Sequence, residues 1–339
     1  MKYGAVAAIE YFLPTAVVST EALAREFPEW QVEKIDAKTG IRERHIAAGS
    51  ECVSDLAVAA ADKLFGSGAC KPSDIDFIIL STQSPDYVMP STACLIQERL
   101  GIPTTAGAYD FHLGCSAYIY GLGQAEGLIA TSQASHVLLL TADIYSRFIG
   151  PRDRVVRTIF GDAAAATLVR ATEADAPYLG PFVYGTDGSG AKNLIVPAGG
   201  LRQPRTDQTA IENEDASGNF RSAENLAMDG GEIFTFTLTR VPESVSRLLE
   251  RTGLSMEAIG LFVFHQTNVY TLNYLRKKLK IPEEKFVVAM SHCGNTVSSS
   301  IPIALKEAMK SGRVPSGTLV MLVGFGVGYS WGATLLRAI

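Results

Sequence analysis

The sequence predicts an α/β protein with mixed or mostly parallel sheets, built from two similar halves. Short apolar runs rich in β-branched and aromatic residues alternate with helix-length segments, as in domains whose strands are buried on both faces. Two distant stretches follow one plan: "DIDFIILSTQS" (74–84) and "AIGLFVFHQTN" (258–268) each end an apolar run in a polar cluster. Of the 339 residues, 47% are hydrophobic and only 19% charged, which is enough for a large core in one domain or two of moderate size.

The elements after those two stretches repeat in order. The first copy continues with "AYDFHLGCSAYIYGLGQAEGLIATSQ" and the second with "KFVVAMSHCGNTVSSSIPIALKEAMKSG". Each reads as a strand, a sharp turn of small residues and a helix. A further strand closes each unit, "SHVLLLTADI" (135–144) and "GTLVMLVGFGV" (317–327). The expected division is 1–172 and 173–339. Cys115 and Asn295 then occupy about the same station, and His265 ends the strand that corresponds to the one ending near Thr82. A pseudo-twofold axis would bring these turns together. Between the copies, 184–225 is rich in Gly, Asp, Asn and Ser. A connection this long reads as a lid, a binding loop, a partner contact or a plain surface insert.

A net charge of −5 argues against a nucleic-acid binder, whose basic footprint should show. The five cysteines (52, 70, 94, 115 and 293) are odd in number and scattered, with no CxxC pair. They suggest neither a disulfide framework nor a zinc site. The opening "MKYGAVAAIEYFLP" has an acid and a proline where a signal peptide needs an apolar stretch, and no run is long enough to span a bilayer. The expected setting is cytoplasmic and reducing, with no membrane partner.

Cys115 lies on a Gly-Cys-Ser turn before a helix-like run. Unpaired N–H groups at a helix start favour a thiolate, the nucleophilic form; the plainer reading is a buried structural cysteine. His265 follows an apolar strand and Asn295 sits on a second small-residue turn, so strand ends converge, where ligands collect in open α/β sheets. A Cys-His-Asn set serves a papain-like protease, with histidine as base. It also serves a decarboxylating condensation, in which histidine and asparagine donate hydrogen bonds to a thioester oxygen and stabilise the enolate. Cys293 ranks below Cys115 as nucleophile, and His45, His112, His136 and His292 need no catalytic role.

"TGIRERHIA" (39–47), "GCSAYIYGL" (114–122), "IFGDAAAATLV" (159–169), "HQTN" (265–268), "HCGNT" (292–296) and "GFGVGYSWG" (324–332), in this order, resemble the β-ketoacyl-ACP synthase III family of the thiolase-like superfamily. The resemblance implies a duplicated five-layer αβαβα fold. It implies that Cys115 takes an acyl group from acyl-CoA and that His265 and Asn295 bind the thioester oxygen of malonyl-ACP. The N–H groups of Cys115 and Val327 would form an oxyanion hole, with Phe325 shielding the histidine. Trp30 and Arg154 correspond to a pair that sandwiches the CoA adenine. Met89, in "SPDYVMPST", and Tyr145 correspond to the acyl pocket, the former on a loop that closes the partner's pocket in a homodimer. Arg276, Lys277 and Lys278 form a basic patch for an acyl carrier protein. No metal and no bound cofactor is implied.

The Met89 loop together with the long 184–225 segment suggests a specialised pathway, and three departures from the family pattern bear on the pocket and on carrier docking. Val327 stands where relatives have glycine, Tyr270 where an arginine is usual and Thr235 where a docking lysine is expected. An acyltransferase passing the Cys115 acyl group to an oxygen, nitrogen or sulfur acceptor is the alternative in the same fold. A non-catalytic partner subunit is a third reading, against which the intact Cys115, His265 and Asn295 count.

Overall fold

The computed structural model describes residues 1–27, 31–215 and 218–339. The first half runs β1 (Lys2–Phe12), α1 (Val53–Gly66), β2 (Phe77–Ser81), α2 (Thr92–Arg99), β3 (Gly107–Phe111), α3 (Ala117–Ala130), β4 (His136–Asp143) and β5 (Ala163–Glu173). The second runs β6 (Leu179–Thr186), α4 (Gly230–Thr252), β7 (Leu261–Phe264), α5 (Val269–Lys278), α6 (Ser300–Lys310), β8 (Leu319–Gly326) and β9 (Ser330–Arg337).

The first sheet has the order β1-β5-β4-β2-β3 and the second β6-β9-β8-β7. The four strands of the second match β1, β5, β4 and β2 of the first, and both sheets are mixed. β2 is parallel to β3 and β4, and β7 to β8. The flanking pairs β1/β5, β4/β5, β8/β9 and β9/β6 are antiparallel. One expected strand is missing: "KFVVAM" contributes only a bridge from Phe286 to Phe262. Pro282 and a short 3-10 turn (Glu283–Lys285) come directly before it, which leaves little chain to extend as a ladder.

Alternation along the strands sorts the core into layers. Leu138 and Leu140 of β4 face outward, onto Leu56, Ala60 and Leu64 of α1 and Ile96 of α2. Val137 and Leu139 face inward, onto Ile119, Leu122 and Ile129 of α3. In the second sheet Val320 and Leu322 face the same inner layer, which also holds Ile301 and Leu305 of α6. Met321, Val323 and Phe325 face outward onto Val241, Val245 and Leu248 of α4 and Leu272 of α5. The result is five layers, αβαβα, with α3 and α6 in the middle. Among the described residues no helix is long and apolar enough to cross a membrane.

The 184–225 segment is structured. It carries a 3-10 turn (Gly188–Asn193), the strand Leu194–Ile195, which pairs with Ala227–Met228, and a hairpin of Asn213–Glu214 with Phe220–Arg221. Its residues wall the cavity described below.

The two halves approach closely where β8 crosses the start of α3. A side chain on Gly324 would begin 2.9 Å from Ser116 Cα and 3.0 Å from the Cys115 carbonyl oxygen. Backbone atoms cannot step aside cheaply, so Gly324→Ala is expected to cost about 1–3 kcal/mol in urea unfolding and to slow alkylation of Cys115. Unchanged stability together with unchanged thiol reactivity would show that the contact has slack.

Candidate active site

Cys115 precedes α3 by two residues, and Ala117 N–H closes the turn on Gly114 O at 2.9 Å. The side chain is 5% exposed. A Cβ on Gly326 would meet Cys115 Sγ at 2.9 Å, so the end of β8 approaches the sulfur only because it has no side chain there. The expectation of a lowered thiol is not met. Burial pushes it up to about 12 and the nearby Asp143 adds to the rise, while the backbone N–H groups of Val327 and Cys115 itself act the other way. A helix end is worth about 0.3–1 kcal/mol to an anion; withdrawing a charge from water costs several. Desolvation wins, and the resting group is a thiol.

His265 continues from β7, its N–H held by Val323 O of β8 at 2.8 Å. The ring is 1% exposed, and Phe325 meets it edge-on with centroids 5.5 Å apart. Burial drops the imidazole to about 3, so it is neutral. Nδ1 lies 2.6 Å from the hydroxyl of Ser300, the first residue of α6. That pairing leaves Nε2 as the ring's remaining polar atom. The same hydroxyl accepts the Gln266 N–H at 3.4 Å.

Asn295 is held as though it were a strand residue. Its N–H donates to Ile159 O at 2.9 Å and its carbonyl accepts from Gly161 N–H at 3.1 Å, a parallel bridge to Phe160 of the first half. Its Oδ1 accepts from Val297 N–H at 3.0 Å. With the oxygen committed, Nδ2 is the free end of the carboxamide and can only donate. Val297 reaches this position at φ +52, left-handed backbone that a β-branched residue rarely adopts.

Cys115, His265, Asn295, Phe325 and Gly326 all line one cavity of about 860 Å³. Its wall includes Leu194, Met228 and Ile233, and its polar lining includes Lys38, Lys192 and Arg221. Arg221 is paired with Asp153 at 3.2 Å and Asp215 at 2.6 Å. Phe234 and Tyr270 line the same space. Their rings are 5.7 Å apart, so Tyr270 presents an aromatic face where the family pattern has an arginine.

The remaining expected site residues are more dispersed. Val327 follows Gly326, and its Cγ1 lies 2.8 Å from where a Gly114 side chain would begin. Tyr145 is buried beside Cys115 and does not reach the surface. Arg154 is exposed next to the 213–221 hairpin, its N–H bonded to Asn219 Oδ1 at 3.0 Å. Trp30 lies outside the described residues. Met89 is 78% exposed on its loop beside Tyr87 and Val88. In the basic stretch, Arg276 is turned into the fold and paired with Glu283 at 3.1 Å, and Lys278 donates to Leu238 O at 2.7 Å. Lys277 is exposed. Cys293 packs with Ala163 and Ile303, away from the cavity, and burial pushes its thiol up to about 12.

Sequence reasoning missed Ser300, which orients the histidine, Val297, which orients the asparagine, and Asp143. The "TVSSSIP" run was visible as small and polar, but nothing in it says which hydroxyl faces an imidazole. Asp143 is buried at the end of β4, where it accepts from Gln83 N–H at 2.8 Å and from the Ser298 hydroxyl, tying the two halves together. Burial pushes its carboxyl up to about 7.

Known proteins share this fold. Residues 109–188 match the family described as 3-oxoacyl-(acyl-carrier-protein) synthase III, and residues 249–338 match the C-terminal part of the same family. The β-ketoacyl-(acyl-carrier-protein) synthase III of Caldanaerobacter subterraneus subsp. tengcongensis is 35% identical over 329 residues, covering 96% of this chain and 95% of that protein. A solved 3-oxoacyl-(acyl-carrier-protein) synthase III is 53% identical with a TM-score of 0.98, covering 99% of each chain. The 3-oxoacyl-(acyl-carrier-protein) synthase of Burkholderia xenovorans LB400 is 35% identical with a TM-score of 0.90, covering 100% of this chain and 95% of that one. By length, order and architecture together, this chain belongs to the 3-oxoacyl-(acyl-carrier-protein) synthase III family.

Proposed function

We propose that the protein is an initiating condensing enzyme: it loads an acyl group from acyl-CoA onto Cys115 and joins it to malonyl-ACP with loss of carbon dioxide, releasing a β-ketoacyl-ACP. One observation carries this reading. Cys115, His265 and Asn295 line one cavity, and the second polar atom of both the imidazole and the carboxamide is already occupied, by Ser300 and Val297.

In the first step the sulfur of Cys115 attacks the thioester carbonyl, its proton passes to the departing sulfur, and CoA leaves as a free thiol. The thiol is protonated at rest, so the neutral imidazole in the same cavity is the group to relay that proton. Ser300 can either donate to Nδ1 or accept from it, which suits a ring that is acceptor in one step and donor in the next. The N–H groups of Cys115 and Val327 face the negative oxygen formed during the attack.

In the second step Nε2–H of His265 and Nδ2–H of Asn295 donate to the malonyl thioester oxygen. Carbon dioxide departs, the enolate is held by those two bonds, and its carbon attacks the acyl carbonyl. The sulfur of Cys115 leaves and regains a proton. Every donor is neutral and fixed before reaction, so little reorganisation is needed. No step calls for a metal or a bound cofactor.

A homodimer is part of the same reading. Tyr87, Val88 (99% exposed) and Met89 form an exposed apolar loop tip of the kind that a second copy covers. The carrier would meet Lys277 and the aromatic rim of Phe234 and Tyr270. A cytoplasmic setting fits both substrates.

Intact-mass analysis separates this reading from simple acyl transfer. Cys115→Ala is expected to take up no acyl group. Asn295→Ala is expected to be acylated at Cys115 but to release carbon dioxide from malonyl-ACP about 10²–10³-fold more slowly. An acyl-protein discharged by other acceptors, with no carbon dioxide released, would favour the acyltransferase instead.

The neutral imidazole has its own signature. The folded ring takes up a proton near 3 and the unfolded ring near its ordinary 6.5. Its contribution to stability is therefore present above about 6.5 and is lost as pH falls towards 3. Asp143, raised to about 7 from 3.8, works in the opposite sense, favouring the fold at low pH and losing that effect as pH rises towards 7. Proton NMR of the His265 ring is expected to be flat from pH 8 to pH 5. A midpoint near 6.5 would contradict the assignment.

A further inference from the structure

We propose that Arg44 is a positioning residue for the decarboxylation step: it holds the 158–161 segment in the register that aims the carboxamide of Asn295. This rests on the condensing reading above and goes beyond it in assigning a role to a residue that does not line the cavity.

Arg44, from "TGIRERHIA", is 1% exposed. Burying a cation is costly unless a carboxylate is buried with it, yet this guanidinium bonds only to uncharged groups. Nη1 donates to Val18 O at 3.2 Å, and Nη2 donates to Thr20 Oγ1 at 3.0 Å, Thr158 O at 3.2 Å and Ile41 O at 3.4 Å. Nε is buried with no partner among the described residues. Burial lowers the group to about 10, Arg157 adds to the fall and the exposed Glu21 opposes it, so the charge persists at neutral pH. A position that needed only volume would be filled by an apolar side chain. What the arginine adds is a planar fork that reaches carbonyls of three separate segments at once.

Those segments lead to Asn295. A Cβ on Gly161 would meet Arg44 Cβ at 3.3 Å, and one on Gly294 would meet it at 3.4 Å. The arginine therefore lies against both glycines that flank the Phe160–Asn295 bridge. Thr158, whose carbonyl it holds, precedes Ile159, whose carbonyl receives the Asn295 N–H. The backbone around Arg44 is tied to the same two segments: the N–H groups of Arg42 and Glu43 donate to Ser291 O at 2.9 and 3.0 Å, and His45 O accepts from Asp162 N–H at 2.8 Å. Cys115 has separate supports, in the Gly114 turn, the Ser116–Ser330 pair and the close approach of Gly326. Loss of the fork thus lets the 158–161 segment shift and misdirects Asn295 Nδ2, while the thiol stays where it is.

Single-turnover measurements separate the steps: acyl loading on Cys115 by intact mass, and release of carbon dioxide from malonyl-ACP by protein already acylated. Arg44→Met keeps the stem and removes the fork. It is expected to slow carbon dioxide release about 10–100-fold and to change loading by less than about twofold. Arg44→Lys keeps the charge without the fork and is expected to be slowed in the same way. It carries the test if circular dichroism shows that Arg44→Met does not fold. In protein that already has Asn295→Ala, adding Arg44→Met is expected to slow release by no more than about twofold, because the group it positions is gone. A purely structural role would slow loading and release alike, or would multiply with Asn295→Ala, and either result overturns the proposal. Release at the unaltered rate in Arg44→Met or Arg44→Lys overturns it too. Those outcomes leave the condensing reading intact, whereas unaltered acylated protein that releases no carbon dioxide overturns that reading and the proposal with it.

Discussion

The structure turns on the burial of two helices, one from each half, in a single layer between two sheets. α3 and α6 have apolar neighbours on both sides, Val137 and Leu139 from one sheet and Val320 and Leu322 from the other. The turns before these helices carry Cys115 and Asn295, which line one cavity. Buried hydroxyl pairs fasten each helix start to the opposite sheet: Ser116 to Ser330 at 2.6 Å, and Ser299 to Thr141 at 3.0 Å. Each pair crosses the halves, so the turns carrying Cys115 and Asn295 are fixed relative to each other by the fold itself. The Phe160–Asn295 bridge adds a third crossing.

The same burial sets the protonation states. Thiol and imidazole both sit where charge is costly, one raised to about 12 and the other lowered to about 3. The site therefore rests as a set of neutral groups. Neutral donors suit a reaction in which negative charge forms on an oxygen and then moves on, because a fixed cation would hold the enolate too firmly to react. The cost falls on nucleophile activation, which the helix end cannot supply alone and which needs proton transfer during attack.

The long connections between strand and helix supply what the duplicated core does not. The segment between β6 and α4 provides Lys192, Leu194, Asp215, Asn219 and Arg221 to the cavity wall, and the segment between β1 and α1 provides Lys38. The core thus places the cavity floor, while these connections shape the approach to it.

Read alone, the chain determined the α/β class, the repeated strand–turn–helix units and the stations of Cys115, His265 and Asn295, because strand alternation and small-residue turns are local properties. It also located the long insert, though not its role as a wall. Tertiary structure decided what depends on distant neighbours. Phe286 failed to extend into a fifth strand because the turn before it leaves little chain. Arg276, basic by sequence, became the partner of Glu283. The thiol rose where a helix end alone would have lowered it, since desolvation comes from everything packed around Cys115. Ser300 and Val297, unremarked in a run of small residues, orient the two donors. Protonation and hydrogen-bond direction are set by the whole enclosure of an atom, and no window of sequence contains that enclosure.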